Sequence, residues 1–254
     1  MLTDYVRYES KGLAFWGLLD GDEVFKINGS VYDEWTRGES VGPKSRLKLL
    51  PPCEPRIVIG LAYNYKDLVG KKDVYEEPLA FLKAPACVIS ASDKILRPKD
   101  ANKVWIETEL AIVIKRSIFN ATAKEAEESI LGYVIANDVT AENVHGRDHH
   151  LARSKSLPSF CPVGDVLRSG IDTGNLGITT LINGLFTQRG STIDRIYNDI
   201  QTLIFLSSLV PLNPGDLVLT GTPAGAMTSL IREGDTIQMT VENVGHLGNQ
   251  IISW

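Results

Sequence analysis

The stretch WIETELAIVIKR, residues 105–116, decides the fold. It is rich in aliphatic and β-branched residues and it alternates, so it reads as a strand and not as a helix. Side chains two apart on a strand share a face. Glu107 and Glu109 therefore project together, while Leu110, Ile112 and Ile114 form the other face, which is expected to be the buried one. Adjacent carboxylates repel, and a partly buried pair must hold a proton or share a cation. A solvated strand face stays open as the alternative, because E-x-E is a short motif.

Working outward, GYVIAND (132–138) is a second apolar strand, ending at Asp138 where the chain leaves a core. Glu107, Glu109 and Asp138 have no Cys or His among them. Such a set suits a hard, oxygen-preferring cation, Mg²⁺ or alternatively Mn²⁺. TGTPAG (220–225) follows the apolar run LVL. Glycines such as Gly221 let the backbone approach a ligand, and Thr220 and Thr222 offer hydroxyls and amides to a carboxylate. No Lys follows the glycines, so this is not a phosphate-binding P-loop; a tight turn is the other reading. Lys83 in FLKAP and Lys155 in RSKSLPSF are either snorkelling surface residues or charges that meet a substrate carboxylate or an enolate. His145, His149 and His150 lie in a polar run, and H-x-x-x-H at 145 and 149 lacks the glutamate of H-E-x-x-H.

The elements around these residues predict an α+β chain. Residues 1–52 read as a small N-terminal unit, with a hairpin turn at Asp20-Gly21-Asp22 and a short helix in SVYDEWTRG (30–38). LLPPCEP (49–55) is a proline-rich linker, and 53–254 is the larger unit. In that unit Thr122 and Glu125 form a capping box for a short helix, and Asn183-Gly184 marks a hairpin. Helical spacing of Ile193, Ile196, Ile200, Leu203 and Ile204 predicts a helix capped by Thr192. Helices do not alternate regularly with strands, which argues against a doubly wound sheet or an α/β barrel.

Composition narrows the partners. The 254 residues are 43% hydrophobic and 22% charged, with a net charge of -5. No dense basic run exists, so nucleic acid is not expected as a partner. The N-terminus lacks the apolar core of a signal peptide, and the apolar run 203–212 is too short to span a bilayer. Three cysteines without a C-x-x-C pair are expected to be buried and reduced, in the cytoplasm.

Taken in order, eight pieces resemble the fumarylacetoacetate hydrolase family: GLAYNY (60–65), PLAFLKAP (78–85), IETELAIVI (106–114), GYVIANDVTAEN (132–143), KSLPSFCPVG (155–164), INGLFTQRGST (182–192), LNPGDLVLTGTPAG (212–225) and VGHLGNQI (244–251). The resemblance implies a mixed β-sheet roll behind a small N-terminal domain, assembled as a homodimer. It implies metal ligation by Glu107, Glu109 and Asp138, catalytic Lys155 and Lys83 near the substrate, and a carboxylate bound at Gly221 and Thr222. The expected substrate is a small 2-oxo or 2-hydroxydienoic acid of aromatic catabolism.

The chain also departs from the family pattern. Carbon–carbon hydrolases of this family show G-x-N-Y-x-x-H-x-x-E, whose His and Glu activate water. Aligned from Gly60, the chain has Ala62 for the Asn, Lys66 for the His and Val69 for the Glu. Glu142 stands where Arg is frequent and Pro158 where Asp is common. Enolate chemistry, by decarboxylation or isomerisation, is therefore expected ahead of hydrolysis. In hydrolysis His149 or His150 would replace the pair. A non-catalytic 2-oxo acid binder is the third reading. The loop after GLAYNY, with Gly60, Gly70 and polar residues, is expected to cover the metal and present Lys66, Asp67 or Lys71.

Overall fold

The computed structural model describes residues 2–69, 77–143 and 146–254. Gly70, Lys71 and His145 lie outside the described residues, and so does most of the expected cover loop. The chain opens with a meander of β1 (Thr3–Ser10), β2 (Leu13–Asp20), β3 (Glu23–Gly29) and β4 (Trp35–Pro43), followed by the short β5 (Lys48–Leu50). The turn at Asp20-Gly21-Asp22 joins β2 to β3 as expected. The short helix expected in SVYDEWTRG is absent. Residues 30–34 form a turn closed by Ser30 N–H on the Glu34 carbonyl, and Trp35 starts β4. A distant contact competes with a local helix here: Trp35 is partly buried and packs edge-on against Tyr5.

The larger unit continues with β6 (Val58–Ala62), α1 (Lys66–Val69), β7 (Leu79–Lys83), β8 (Val88–Ser90), β9 (Ile95–Arg97) and β10 (Val104–Trp105). Then come β11 (Thr108–Ile114), α2 (Ala123–Glu128), β12 (Ile130–Asn137), β13 (Thr140–Ala141), α3 (Ala152–Lys155), β14 (Cys161–Val163) and β15 (Leu167–Ser169). The chain closes with β16 (Gly177–Ile182), β17 (Leu185–Ser191), α4 (Asp199–Leu209), β18 (Leu217–Leu219), β19 (Thr236–Val241) and β20 (Gly245–Ser253). The Thr122–Glu125 capping box opens α2, and Asn183-Gly184 turns β16 into β17. The long helix starts later than expected. Asn198 caps α4 through a reciprocal box with Gln201, while Thr192 opens only a turn of 3₁₀ helix. A capping box satisfies two orphan backbone N–H groups, which outweighs the hydrophobic spacing that extended the expectation upstream.

Strands dominate and helices are few, so the class is α+β. One mixed sheet runs β4-β3-β2-β1-β15-β12-β11-β18-β6-β7, and a second runs β17-β16-β19-β20-β9. The meander therefore joins the main sheet through β1 beside β15. It also keeps a small core of its own around Val6, Tyr8 and Val24. β11 lies in the middle, between antiparallel β12 and β18. Its second face meets β16 and β19. Every residue of β11 is buried, so the expected split into one buried and one open face is corrected: both faces are enclosed. Glu109 sits in that strand, at 1% exposure. Placing a carboxylate there is costly unless something compensates its charge.

Candidate metal centre

Glu107 precedes β11, Glu109 is its second residue, and Asp138 follows β12. The antiparallel register sets Glu109 opposite Ala136 and Thr108 opposite Asn137. Asp138 N–H donates to the Glu107 carbonyl at 3.0 Å, which closes the strand ends together. One oxygen from each of Glu107, Glu109 and Asp138 then lies within 4.8 Å of the others. The solvated-face reading of E-x-E is excluded, because Glu109 is buried and the Glu107 side chain is only 14% exposed.

Two ammonium groups meet this cluster. Lys83 Nζ lies 2.6 Å from Asp138 Oδ1 and also donates to the Val139 carbonyl. Lys155 Nζ donates to Asp138 Oδ2, and to Thr140 Oγ1 at 2.7 Å, with Glu107 Oε1 at 3.5 Å. Neither is a snorkelling surface lysine: the Lys83 side chain is fully enclosed and that of Lys155 is 11% exposed. Lys155 also lies over the Phe81 ring, 4.5 Å from its centroid.

The electrostatics follow from burial and these neighbours. Burial, then the charges of Asp138 and Glu107, push the Glu109 carboxyl well above the usual carboxylate range. Glu107 is also raised, by burial against the opposing pull of Lys155. Burial acts on Asp138 too, but Lys155 and Lys83 outweigh it and hold its carboxyl low. For Lys155, burial favours the neutral amine, yet Asp138 and Glu107 prevail and keep it charged. Crowded, buried carboxyls whose ionised forms are disfavoured, and whose donor atoms are all oxygen, suit a divalent cation, which would favour their ionised forms.

The glycine-rich loop after β18 completes the cluster. Gly221 N–H donates to Glu109 Oε2 at 2.6 Å. Gly221 has φ of 93°, and a Cβ there would lie 2.9 Å from the Asn64 Cβ, so a side chain is excluded on two counts. Thr222 reaches the cluster indirectly. Its hydroxyl donates to the Thr108 carbonyl at 3.0 Å and accepts from Gln188 Nε2 at 2.7 Å. His149 and His150 are exposed and line a surface cavity with Phe81 and Leu209 that includes none of the three carboxylates.

Three contributors escaped the sequence reading. Trp105 Nε1 donates to Glu107 Oε1 at 2.7 Å, and Thr140 Oγ1 reaches the same oxygen at 2.9 Å. Trp105 carries a legible signal, since W-x-E-x-E repeats the two-residue spacing of the carboxylates. Asn64, buried at 1% exposure, ties the loop after β6 to β18 by donating to the Thr220 carbonyl at 2.8 Å. Nothing in local spacing marks Thr140 or Asn64.

No helix among the described residues is long and apolar enough to cross a membrane. The comparisons with known proteins agree with the geometry. A protein of Archaeoglobus fulgidus with no described activity is 35% identical over 232 residues, covering 90% of each chain. Oxaloacetate tautomerase YisK of Bacillus subtilis is 30% identical over 255 residues, covering 92% of this chain and 84% of that one. The crystal structure of a 5-carboxymethyl-2-hydroxymuconate delta-isomerase from Mycobacterium smegmatis superposes with a TM-score of 0.89 at 32% identity, covering 99% of this chain and all of that one. A family model described as fumarylacetoacetate (FAA) hydrolase, C-terminal, matches residues 57–252, and the chain belongs to the fumarylacetoacetate hydrolase family of enzymes.

Proposed function

We propose that the chain is a divalent-cation-dependent tautomerase or isomerase that shifts a proton on a small 2-oxo acid. The observation that carries this is the enclosed cluster of Glu107, Glu109 and Asp138 with the ammonium of Lys155 against it. Relatives named for oxaloacetate tautomerisation and hydroxymuconate isomerisation favour a proton shift over decarboxylation. In this reading Glu107, Glu109 and Asp138 hold Mg²⁺ or Mn²⁺. The cation supplies Lewis-acid stabilisation of an enolate. Lys155 adds a second positive charge beside the developing oxyanion. It is held charged and anchored on Asp138 and Thr140, so it acts as an electrostatic partner and not as a resting base. Lys83 is enclosed and acts through Asp138, by fixing that carboxylate's orientation. The hydroxyl of Thr222 is engaged by Thr108 and Gln188. Gly221 N–H is likewise engaged, by Glu109, so in this reading a substrate carboxylate would meet the N–H of Thr222.

Hydrolysis is the second reading, and the loop after β6 bears on it. Asn64 and Tyr65 are both buried, whereas Ala62 and Tyr63 are not. We infer that Asn64-Tyr65 is the N-Y of the family pattern. The His and Glu positions then fall on Leu68 and Lys71 in place of Lys66 and Val69. Either register leaves the chain without the water-activating pair, which favours enolate chemistry.

Several wider properties belong to the same reading: a cytoplasmic location, a functional division near residue 52 and a homodimer with an apolar interface. A light-scattering mass near 27.9 kDa at micromolar concentration would rule out the dimer. The function is tested by supplying enol-oxaloacetate and 2-hydroxydienoic acids with Mg²⁺, Mn²⁺ or chelator. Loss of the enol's ultraviolet absorbance without CO₂ release, abolished by chelator, is the expected result. Release of CO₂ points to decarboxylation, and release of two organic acids from an acylpyruvate points to hydrolysis. Tight oxalate binding with no turnover of any of these substrates would make the chain a binding protein.

A further inference from the structure

Three donors converge on one oxygen of Glu107, and they are not equivalent. Trp105 Nε1 is 2.7 Å from Oε1, Thr140 Oγ1 is 2.9 Å away and Lys155 Nζ 3.5 Å. Thr140 has a single hydroxyl proton, and the Asp138 carbonyl competes for it at 3.1 Å. Lys155 lies closer to Asp138 and to Thr140 than to Glu107. Trp105 has one N–H and one acceptor, at the shortest of the three distances. An indole N–H is a donor only and does not titrate in the working range, so its hold is constant across pH.

The mount is also firm. Trp105 lies on β10, directly opposite Thr140 on β13, and bridges to Leu230 on its other side. The next residue, Ile106, is fully buried, and its N–H meets the Ser229 carbonyl at 3.2 Å. The two-residue spacing of Trp105, Glu107 and Glu109 then delivers the indole to the carboxylate face.

We infer that Trp105 is a positioning residue for the metal centre: its indole N–H turns Glu107 Oε1 into the protein and leaves Oε2 to bind the cation. The inference rests on the divalent-cation reading proposed above. Partners that orient a metal ligand from behind typically change affinity by about 10–100-fold when removed. Trp105→Phe keeps an aromatic ring and removes the N–H. Glu107 Oε1 retains Thr140 and Lys155 in that variant, so no buried acceptor is left bare.

The test is a calorimetric titration of chelator-treated wild type, Trp105→Phe and Glu109→Gln with Mn²⁺, followed in parallel by tryptophan emission. The expected result is binding by wild type, about 10–100-fold weaker binding by Trp105→Phe, and loss of binding in Glu109→Gln. Mn²⁺ is also expected to quench a component of wild-type emission that Trp105→Phe lacks. If Trp105→Phe does not fold, benzothienylalanine at position 105 keeps the bicyclic ring, removes the N–H and is expected to show the same weakening. Equal Mn²⁺ affinity in wild type and a folded variant, with Glu109→Gln unable to bind, would overturn the role of Trp105 and leave the cation reading intact. Failure of wild type to bind Mn²⁺ or Mg²⁺ would overturn both.

Discussion

Replacing Glu109 by Gln separates charge from shape at the centre of the cluster. Gln keeps the length of the side chain and an oxygen that can accept the Gly221 N–H, now at 2.6 Å from Glu109 Oε2. What it removes is the negative charge, in a place where burial and the charges of Asp138 and Glu107 already oppose that charge. The cation-free variant is therefore expected to fold, with a melting temperature equal to or above that of wild type. Cation binding should behave oppositely. A ligand present at a hundred times its Kd stabilises a protein by about 2.7 kcal/mol. For a chain of this size, roughly 2–4 °C of melting temperature accompany each kcal/mol, so wild type should gain about 5–10 °C. Glu109→Gln should gain almost nothing and lose nearly all turnover. The assay is a thermal melt of both proteins with chelator and with Mg²⁺, alongside calorimetric titration. An unchanged Mg²⁺ affinity in the variant, or wild-type activity in excess chelator, would refute the reasoning.

The same pair of proteins gives a pH prediction. The Glu109 carboxyl is raised in the folded state, so its contribution to stability is present below the unfolded value of 4.5 and is lost as pH rises through the folded value. Without cation, wild type should lose stability relative to Glu109→Gln as pH climbs above 4.5, which chemical denaturation across pH would measure; a constant difference would contradict it. Gly221→Ala should cost about 1–3 kcal/mol from the positive φ and the crowding against Asn64, and should lower Mg²⁺ affinity by moving the N–H from Glu109. Lys83→Met should destabilise by about 3 kcal/mol, the low end for a broken buried pair, because Lys155 still holds Asp138. Denaturant titration checks both. Leu68→His with Lys71→Glu should raise acylpyruvate cleavage above wild type, whereas Lys66→His with Val69→Glu should not. The opposite ranking would restore the alignment from Gly60.

Much of the site was legible because period two is rigid. In WIETELAIVIKR, Glu107 and Glu109 had to share a face, and GYVIAND had to deliver Asp138 at a strand end. Hairpin and capping-box signals at Asn183-Gly184 and at Thr122–Glu125 act over four residues or fewer, and the structure keeps both. The misreadings share one cause. SVYDEWTRG and the residues before Asn198 are both open to a helix on local grounds, but a partner distant in sequence competes for them. Tyr5 receives Trp35, and Asn64 receives the N–H of Tyr197 at 2.8 Å.

By itself, the order of residues determined the strand-rich class, the three carboxylates and the glycine-rich loop. Each of these depends on side-chain chemistry and on periods of a few residues. Only the tertiary structure decided that both faces of β11 are enclosed, and that Lys83 and Lys155 are anchored on Asp138 and not free at a pocket mouth. It also brought Trp105 and Thr140 onto one oxygen of Glu107. Those facts depend on pairings between residues far beyond any local period, such as Lys83 with Asp138, Trp105 with Thr140 and β11 with β18. Which distant strand fills such a position is a matter of competing packings summed over the whole core, and no local period encodes it.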